Sequence, residues 1–352
     1  MKILITGNMG YVGPVLVRHL RKLYPNIFLA GYDMGYFAQC LTVEDSIPEI
    51  NLNCQFFGDI RSLTQDILGQ FDTVVHLAAI SNDPMGNKFE TATREINFKA
   101  SSKLAVMAAN CGVKRFIFAS SCSIYGYAEG DIRNEADELR PITSYAKSKV
   151  DIENILKKLS QSGMVVTCLR FATACGMSDR LRLDLVLNDF VACALVSNSI
   201  SLLSDGSPWR PLVNVKDMAR AIEWAIFRSS TQGKEDYLAI NIGSDDLNYQ
   251  VVDLAQNISR IIQKTAIKIS KNAMPDKRSY RVDFSLYRKL APKHQPQVSL
   301  EETIIELING LKKMNFKDLN FRESYLIRLK VLEKYISNNR LDSSLNWIGH
   351  TN

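Results

Sequence analysis

Short runs rich in β-branched and aromatic residues, each followed by a stretch with helical periodicity, recur through the first half of the chain. KILIT, NIFLAGY, CQFFGD, DTVVHLA, KRFIFAS and MVVTCLR read as strands, and the spacing predicts helices over 11–23, 88–111 and 143–161. This alternation permits few topologies. Parallel neighbours need crossovers, crossovers are right-handed, and helices therefore cover both faces of one mostly parallel sheet.

The turn after the first strand narrows the reading further. ITGNMGYVG places Gly7, Gly10 and Gly13 directly behind a strand and at the start of a helix. Without side chains, such a turn lets a pyrophosphate approach backbone N–H groups at the positive end of the helix. Asp33 ends the second strand, 20 residues beyond Gly13, where a carboxylate accepts from ribose hydroxyls and repels a 2′-phosphate. No Lys or Arg follows at 34–39, which favours NAD over NADP. The fold class expected is α/β, a Rossmann-type doubly wound parallel sheet with a smaller C-terminal substrate-binding lobe. Residues 1–170 form the dinucleotide domain, and 211–240, where RPLVNVKDMARAIEWAIF supplies a strand and a long helix, return to it. The substrate lobe takes 171–210 and 241–320. There SLEE, from Ser299, reads as a capping box. A helical extension over 321–352, with its helix near 322–338, closes the chain.

Among 13 tyrosines only Tyr145 has a lysine four residues on, Lys149, so the two share a helix face. A phenol with a pKa of about 10 is a poor base at neutral pH, and nearby positive charge makes it a better one. Upstream, the predicted strand KRFIFAS runs into SSCSIYG.

Gly7, Gly10, Gly13, Asp33, GDI with Asp59, HLAA from His76, Asn97, SSCSIYG and the Tyr145–Lys149 pair together resemble the extended short-chain dehydrogenase/reductase family. Its members include NAD-dependent nucleotide-sugar epimerases and dehydratases. The likeness continues through LRFATACG, LSDGSPWRPLVNVKDMARA and SLEETIIELINGL, over about residues 1–310. It implies Ser121, Tyr145 and Lys149 as catalytic residues. The cofactor contacts it implies are Gly7, Gly10, Tyr11, Gly13, Asp33, Asp59, Ile60, Leu77, Ala78, Ala79, Asn97, Tyr145 and Lys149. On the substrate side it points to Ser81, Asn82, Ser121, Thr173 and Asn188, with Arg210 and Arg278 clamping a diphosphate. The activity implied is NAD-dependent oxidation or epimerisation of a nucleotide sugar at C4, in carbohydrate biosynthesis. The alternatives are a 4-ketoreductase and an inactive NAD-binding regulatory protein. Cys122 and Ser123 stand where the 4,6-dehydratases carry Asp and Glu, which disfavours dehydration. The cysteine of the GDP-fucose-forming epimerase-reductases falls one residue later than Cys122, and no histidine occurs between 77 and 293. Cys122 is therefore read as packing.

Composition excludes other classes. No apolar run approaches the roughly 18 residues that span a bilayer, and MKILITGNMG turns to glycine too early for a signal peptide, so a cytoplasmic location is expected. Seven cysteines without Cys-x-x-Cys spacing and four scattered histidines do not suggest a metal site. Residues 264–293 hold nine Lys or Arg against two Asp, which suits an anionic small molecule. Aromatic-basic stacking motifs for nucleic acid are absent. Family relatives pair through the helices at 88–111 and 143–161, so a homodimer is expected, and SSKLAVMAANCG has an apolar face to offer.

Overall fold

Seven parallel strands form the centre of the computed structural model, which describes residues 1–42, 47–127, 132–202, 204–230, 236–269 and 279–349. In chain order the strands are β1 (Lys2–Thr6), β2 (Phe28–Asp33), β3 (Cys54–Phe57), β4 (Thr73–His76), β5 (Arg115–Ser121), β6 (Ile132–Arg133), β7 (Val165–Phe171), β8 (Thr173–Cys175), β9 (Ser199–Leu202), β10 (Trp209–Asn214), β11 (Tyr237–Ile242), β12 (Asn248–Gln250), β13 (Ala266–Ile269) and β14 (Arg281–Val282). The large sheet runs β11-β7-β5-β4-β1-β2-β3. The chain leaves β1 toward β2 and β3, then crosses back to β4 on the other side. At that switch point the connections diverge and open a crevice beyond the strand ends.

The helices are α1 (Gly13–Leu23), α2 (Gln65–Leu68), α3 (Asp83–Lys88), α4 (Glu90–Thr93), α5 (Ser101–Asn110), α6 (Ser144–Leu159), α7 (Val186–Ser197), α8 (Val215–Phe227), α9 (Val251–Ile261), α10 (Ser285–Leu290), α11 (Leu300–Lys313) and α12 (Arg328–Ser337). The period of two along β1 separates two cores. Ile3 and Ile5 pack with Leu16 and Leu20 of α1 and Ile222 of α8, while Leu4 packs on the other face with Leu104 of α5 and Ile152 and Leu156 of α6. A third core, with Leu187, Leu254, Ile304 and Leu307, fills the smaller lobe.

Three elements differ from their sequence reading. The helix over 88–111 is broken, because residues Arg94–Ala100 are wound as a π-helix, with Ser101 Oγ bonding the Ile96 carbonyl five residues back. Strand β10 lies in a small sheet with β8 and β12, whereas α8 packs on α1 and β11 takes the edge of the large sheet. The last helix is shorter than 322–338, preceded by a 3₁₀ turn at Phe321–Glu323. The capping box of α11 forms: Glu302 N–H donates to Ser299 Oγ (3.2 Å), and Ser299 N–H donates to Glu302 Oε2 (2.8 Å). No helix among the described residues is long and apolar enough to cross a membrane.

Candidate active site

The crevice is a continuous cleft of about 1030 Å³, walled by the glycine turn and the ends of β1, β2, β4 and β5, and closed by residues 171–190, Arg210 and Tyr280 from the smaller lobe. Gly7 has φ +74°, and a Cβ there would lie 2.5 Å from the Ala78 nitrogen. Only glycine lets the turn and the β4 loop approach this closely. Gly13 is needed for packing instead: its Cβ would meet the Asn8 carbonyl oxygen at 2.1 Å, and it does not line the cleft, whereas Gly7, Gly10 and Tyr11 do. Asp33 accepts from the N–H groups of Met9 (2.9 Å) and Gly35 (2.7 Å). Burial pushes its carboxyl above the ordinary value, against the lowering effect of those two donors. Each oxygen keeps a lone pair for a further donor. A side-chain-free turn opening α1 and a buried carboxylate ending β2 thus fit a dinucleotide.

Asp59 and Ile60 line the cleft, with Asp59 held by Arg61 through the backbone N–H (2.8 Å) and Nε (2.7 Å). Leu77, Ala78 and Ala79 line it at the end of β4. Asn97 departs from its expected role as a cofactor contact. It is buried outside the cleft lining, with its amide spent on Ile80, accepting from that N–H (2.8 Å) and donating to that carbonyl (2.9 Å). The π-helical turn lets Asn97 act as a clamp on the β4 loop.

Tyr145 and Lys149 project from the first turns of α6, and Ser121 ends β5; all three line the cleft. Ser121 Oγ donates to Ser123 Oγ (2.9 Å) and accepts from Ser123 N–H (3.1 Å). Desolvation first, then the Asp83 carboxylate, push the Tyr145 phenol up to about 12 against the lowering effects of Arg182 and a hydrogen bond with Ser121. Lys149 Nζ lies 5.3 Å from the centre of the Tyr145 ring and donates to the Ala119 carbonyl (2.8 Å). Burial holds this amine down to about 7, so it titrates near neutrality.

A buried network that the sequence reading did not single out sets the position of α6. Glu153, one turn beyond Lys149, accepts from Ser120 Oγ (2.5 Å) and pairs with Arg170 of β7 (2.7 Å). Arg170 reaches Tyr125 Oη (3.1 Å), which donates to Asn241 Oδ1 of β11 (2.7 Å). Cys122 sits beneath, buried, with Sγ toward the Arg170 carbonyl at 3.0 Å.

On the substrate side Ser81, Asn82, Thr173 and Arg210 line the cleft. Arg182 Nη1 donates to Ser81 Oγ (2.8 Å) and Asn82 Nδ2 to Asp184 (2.7 Å), while Arg182 and Asp184 form a bidentate pair at 2.9 Å. Asn188 departs from its expected substrate contact. It is fully buried outside the cleft lining, accepting from Gly176 N–H (3.0 Å) and donating to the Arg182 carbonyl (2.9 Å), and so shapes the 176–182 loop. Arg278 lies outside the described residues. Asp83, Arg182 and Tyr280 also line the cleft. Glu153 was accessible from its spacing after Lys149, but nothing local distinguishes Tyr280 or Asp83.

A profile described as the NAD dependent epimerase/dehydratase family matches residues 3–243. The chain is 25% identical to an uncharacterised UDP-glucose epimerase of Bacillus subtilis, over 89% of this chain and 99% of that one. It is 26% identical to a UDP-N-acetyl-alpha-D-glucosaminuronate decarboxylase of Bacillus cytotoxicus, over 89% and 98%. Among solved structures, UDP-glucuronic acid 4-epimerase from Bacillus cereus, in complex with UDP-glucuronic acid and NAD, superposes with a TM-score of 0.75 at 24% identity, covering 89% of this chain and 100% of that one.

Proposed function

The chain belongs to the NAD dependent epimerase/dehydratase family, and on that premise we propose that it oxidises a nucleotide-diphosphate sugar at C4 and, as an epimerase, returns it with the opposite configuration. The observation that carries the reading is Tyr145 and Lys149 one turn apart on α6, sharing a cleft with Ser121 at the end of β5. NAD, when bound along the glycine turn, Asp33 and residues 77–79, supplies an electron-pair acceptor that can hand the same pair back. Tyr145 takes the proton of the C4 hydroxyl, and Ser121 donates to that oxygen as the carbonyl forms. Lys149 anchors the nicotinamide ribose and, as ammonium, favours the phenolate. Arg210 meets the diphosphate, for which its planar fork is suited. The similarity to a UDP-glucose epimerase and a UDP-N-acetyl-alpha-D-glucosaminuronate decarboxylase supports the substrate class.

The test is incubation of the NAD-loaded protein with UDP-, GDP-, CDP- and dTDP-sugars, following NADH absorbance and the product's configuration by NMR. Tyr145→Phe lowers turnover by about 10²–10⁴-fold while NAD stays bound. Wild-type turnover in that variant removes Tyr145 as the base.

A homodimer through α5 and α6 belongs to the same reading. Most of the apolar face of α5 is spent inside the subunit, with Val106 left 43% exposed. Sedimentation of the wild type as a dimer and of Val106→Asp as a monomer is the expected outcome, and a monomeric wild type excludes it.

A further inference from the structure

We propose that the C-terminal extension completes the cofactor site, with Arg328, at the start of α12, binding the anionic diphosphate of the dinucleotide. This role concerns NAD alone and is the same whichever sugar the protein turns over.

Among the described residues, the cations lining the cleft are Lys149, Arg182, Arg210, Arg322 and Arg328. The first four have other work. Lys149 donates to the Ala119 carbonyl beside Tyr145, Arg182 is forked on Asp184, Arg322 is forked on Asp189 at 2.9 and 2.8 Å, and Arg210 is the group taken above for the sugar's diphosphate. Arg328 is only 1% exposed, yet its hydrogen bonds go to the carbonyls of Arg180 (2.7 Å) and Tyr325 (3.3 Å) and to no carboxylate. Arg180 itself is spent on Glu49 at 2.7 and 3.1 Å, so the guanidiniums of Arg180, Arg182 and Arg328 have two carboxylate partners between them. Burial lowers Arg328 only to about 10, and it stays charged at neutral pH. A buried charge without a counter-ion is costly. A cation in the first turn of α12, which holds no acidic residue, also opposes the helix dipole. Both costs turn into attraction when an anion binds alongside.

The place of Arg328 in the cleft singles out the dinucleotide. Its guanidinium lies 4.8 Å from the centre of the Phe37 ring, and Phe37 lines the cleft with Met34 and Tyr36 just past Asp33. The loop whose Arg180 carbonyl receives Nη2 is fastened to the glycine turn, where Ser178 Oγ donates to the Tyr11 carbonyl (2.6 Å). It is also fastened to the chain beyond Asp33, where Thr42 N–H donates to the Asp179 carbonyl (2.8 Å). Arg328 is thus built into the bridge between the turn that suits a pyrophosphate and the residues that follow the ribose-binding carboxylate. No Lys or Arg occurs at 34–39, so the cation for this span comes from the other end of the chain.

The test uses full-length protein freed of nucleotide. Arg328→Met keeps an unbranched side chain against Phe37 and removes the charge. Its urea midpoint without ligand equals or exceeds that of the wild type, because an unmatched buried charge is gone. Its affinity for NAD and for ADP-ribose, titrated calorimetrically, falls by about tenfold or more. Arg328→Lys, which keeps the charge without the planar fork, lies between the two. UDP-glucose binds the NAD-saturated variant as it binds the wild type. In the wild type, ADP-ribose slows amide hydrogen exchange across 325–337, a readout that requires no variant to fold. Unchanged affinity for NAD and ADP-ribose in Arg328→Met overturns the assignment, and so does an affinity loss matched by a fall in the nucleotide-free midpoint, which makes the residue structural. Loss of UDP-glucose binding alone moves Arg328 to the sugar's diphosphate and overturns it too. Exchange at 325–337 that ADP-ribose leaves unchanged has the same consequence.

Discussion

His76, the last residue of β4, shows what burial beside the cleft does to a titratable group. Its ring nitrogens are 2.7 Å from Thr6 Oγ1 and 2.8 Å from Ser101 Oγ, and its ring stacks on Phe118. Burial, with a smaller push from the Lys149 cation, lowers it to about 3. The unfolded chain binds a proton here below about pH 6.5 that the folded chain refuses. The stabilisation is therefore complete above that pH and is lost as pH falls toward 3, at about 1.4 kcal/mol per unit. His76→Gln should flatten the dependence of urea midpoints on pH between 6 and 4, while an unchanged slope would place the acid sensitivity elsewhere. The depressed Lys149 amine acts with the same sign in a separate window, between about 7 and its ordinary value. Single residues also mark where sequence reading fell short. Asn97 and Asn188 sit within recognisable motifs, but a motif does not say which way an amide turns, and both are spent on backbone.

At the scale of elements, the site depends on α6 being locked to β5 and β7. The Tyr145–Lys149 spacing was legible because helical period alone puts residues four apart on one face. What sets their distance from Ser121 is Glu153, pinned between Ser120 and Arg170. Removing one partner of a buried pair leaves the other uncompensated, at a cost of about 3 kcal/mol or more. Glu153→Gln should lower stability by that order in urea unfolding, and kcat by about tenfold through displacement of α6. A stable variant with full kcat would show that α6 is positioned by its apolar face alone. Helix α5 shows the converse. Its apolar side reads equally well as an interface or a core face, and only packing reveals that most of it is spent inside.

Across the whole molecule, the C-terminal segment reaches back over the first lobe. Leu341 and Leu345 are buried, Trp347 Nε1 donates to the Met34 carbonyl (2.9 Å), Tyr36 Oη donates to the Leu345 carbonyl, and Arg61 Nη1 donates to the Ser344 carbonyl (2.8 Å). These contacts hold Met34, Tyr36 and Arg61 beside Asp33 and Asp59 at the cleft. Truncation after Arg340 removes both buried leucines from the packing, a loss of about 4 kcal/mol. It should lower the unfolding midpoint and speed loss of NAD on gel filtration, and a truncated chain that keeps both would make the segment dispensable. Sequence by itself determined the alternating architecture, the glycine turn, Asp33 and the one-turn spacing of phenol and amine, because each follows from local periodicity or a steric rule acting within a few residues. Tertiary structure alone decided that β10 joins the small sheet, that Asp83 and Tyr280 line one cleft, and that the chain's end braces its beginning. Those contacts join residues tens to hundreds of positions apart, and no local pattern encodes which distant surfaces will bury one another.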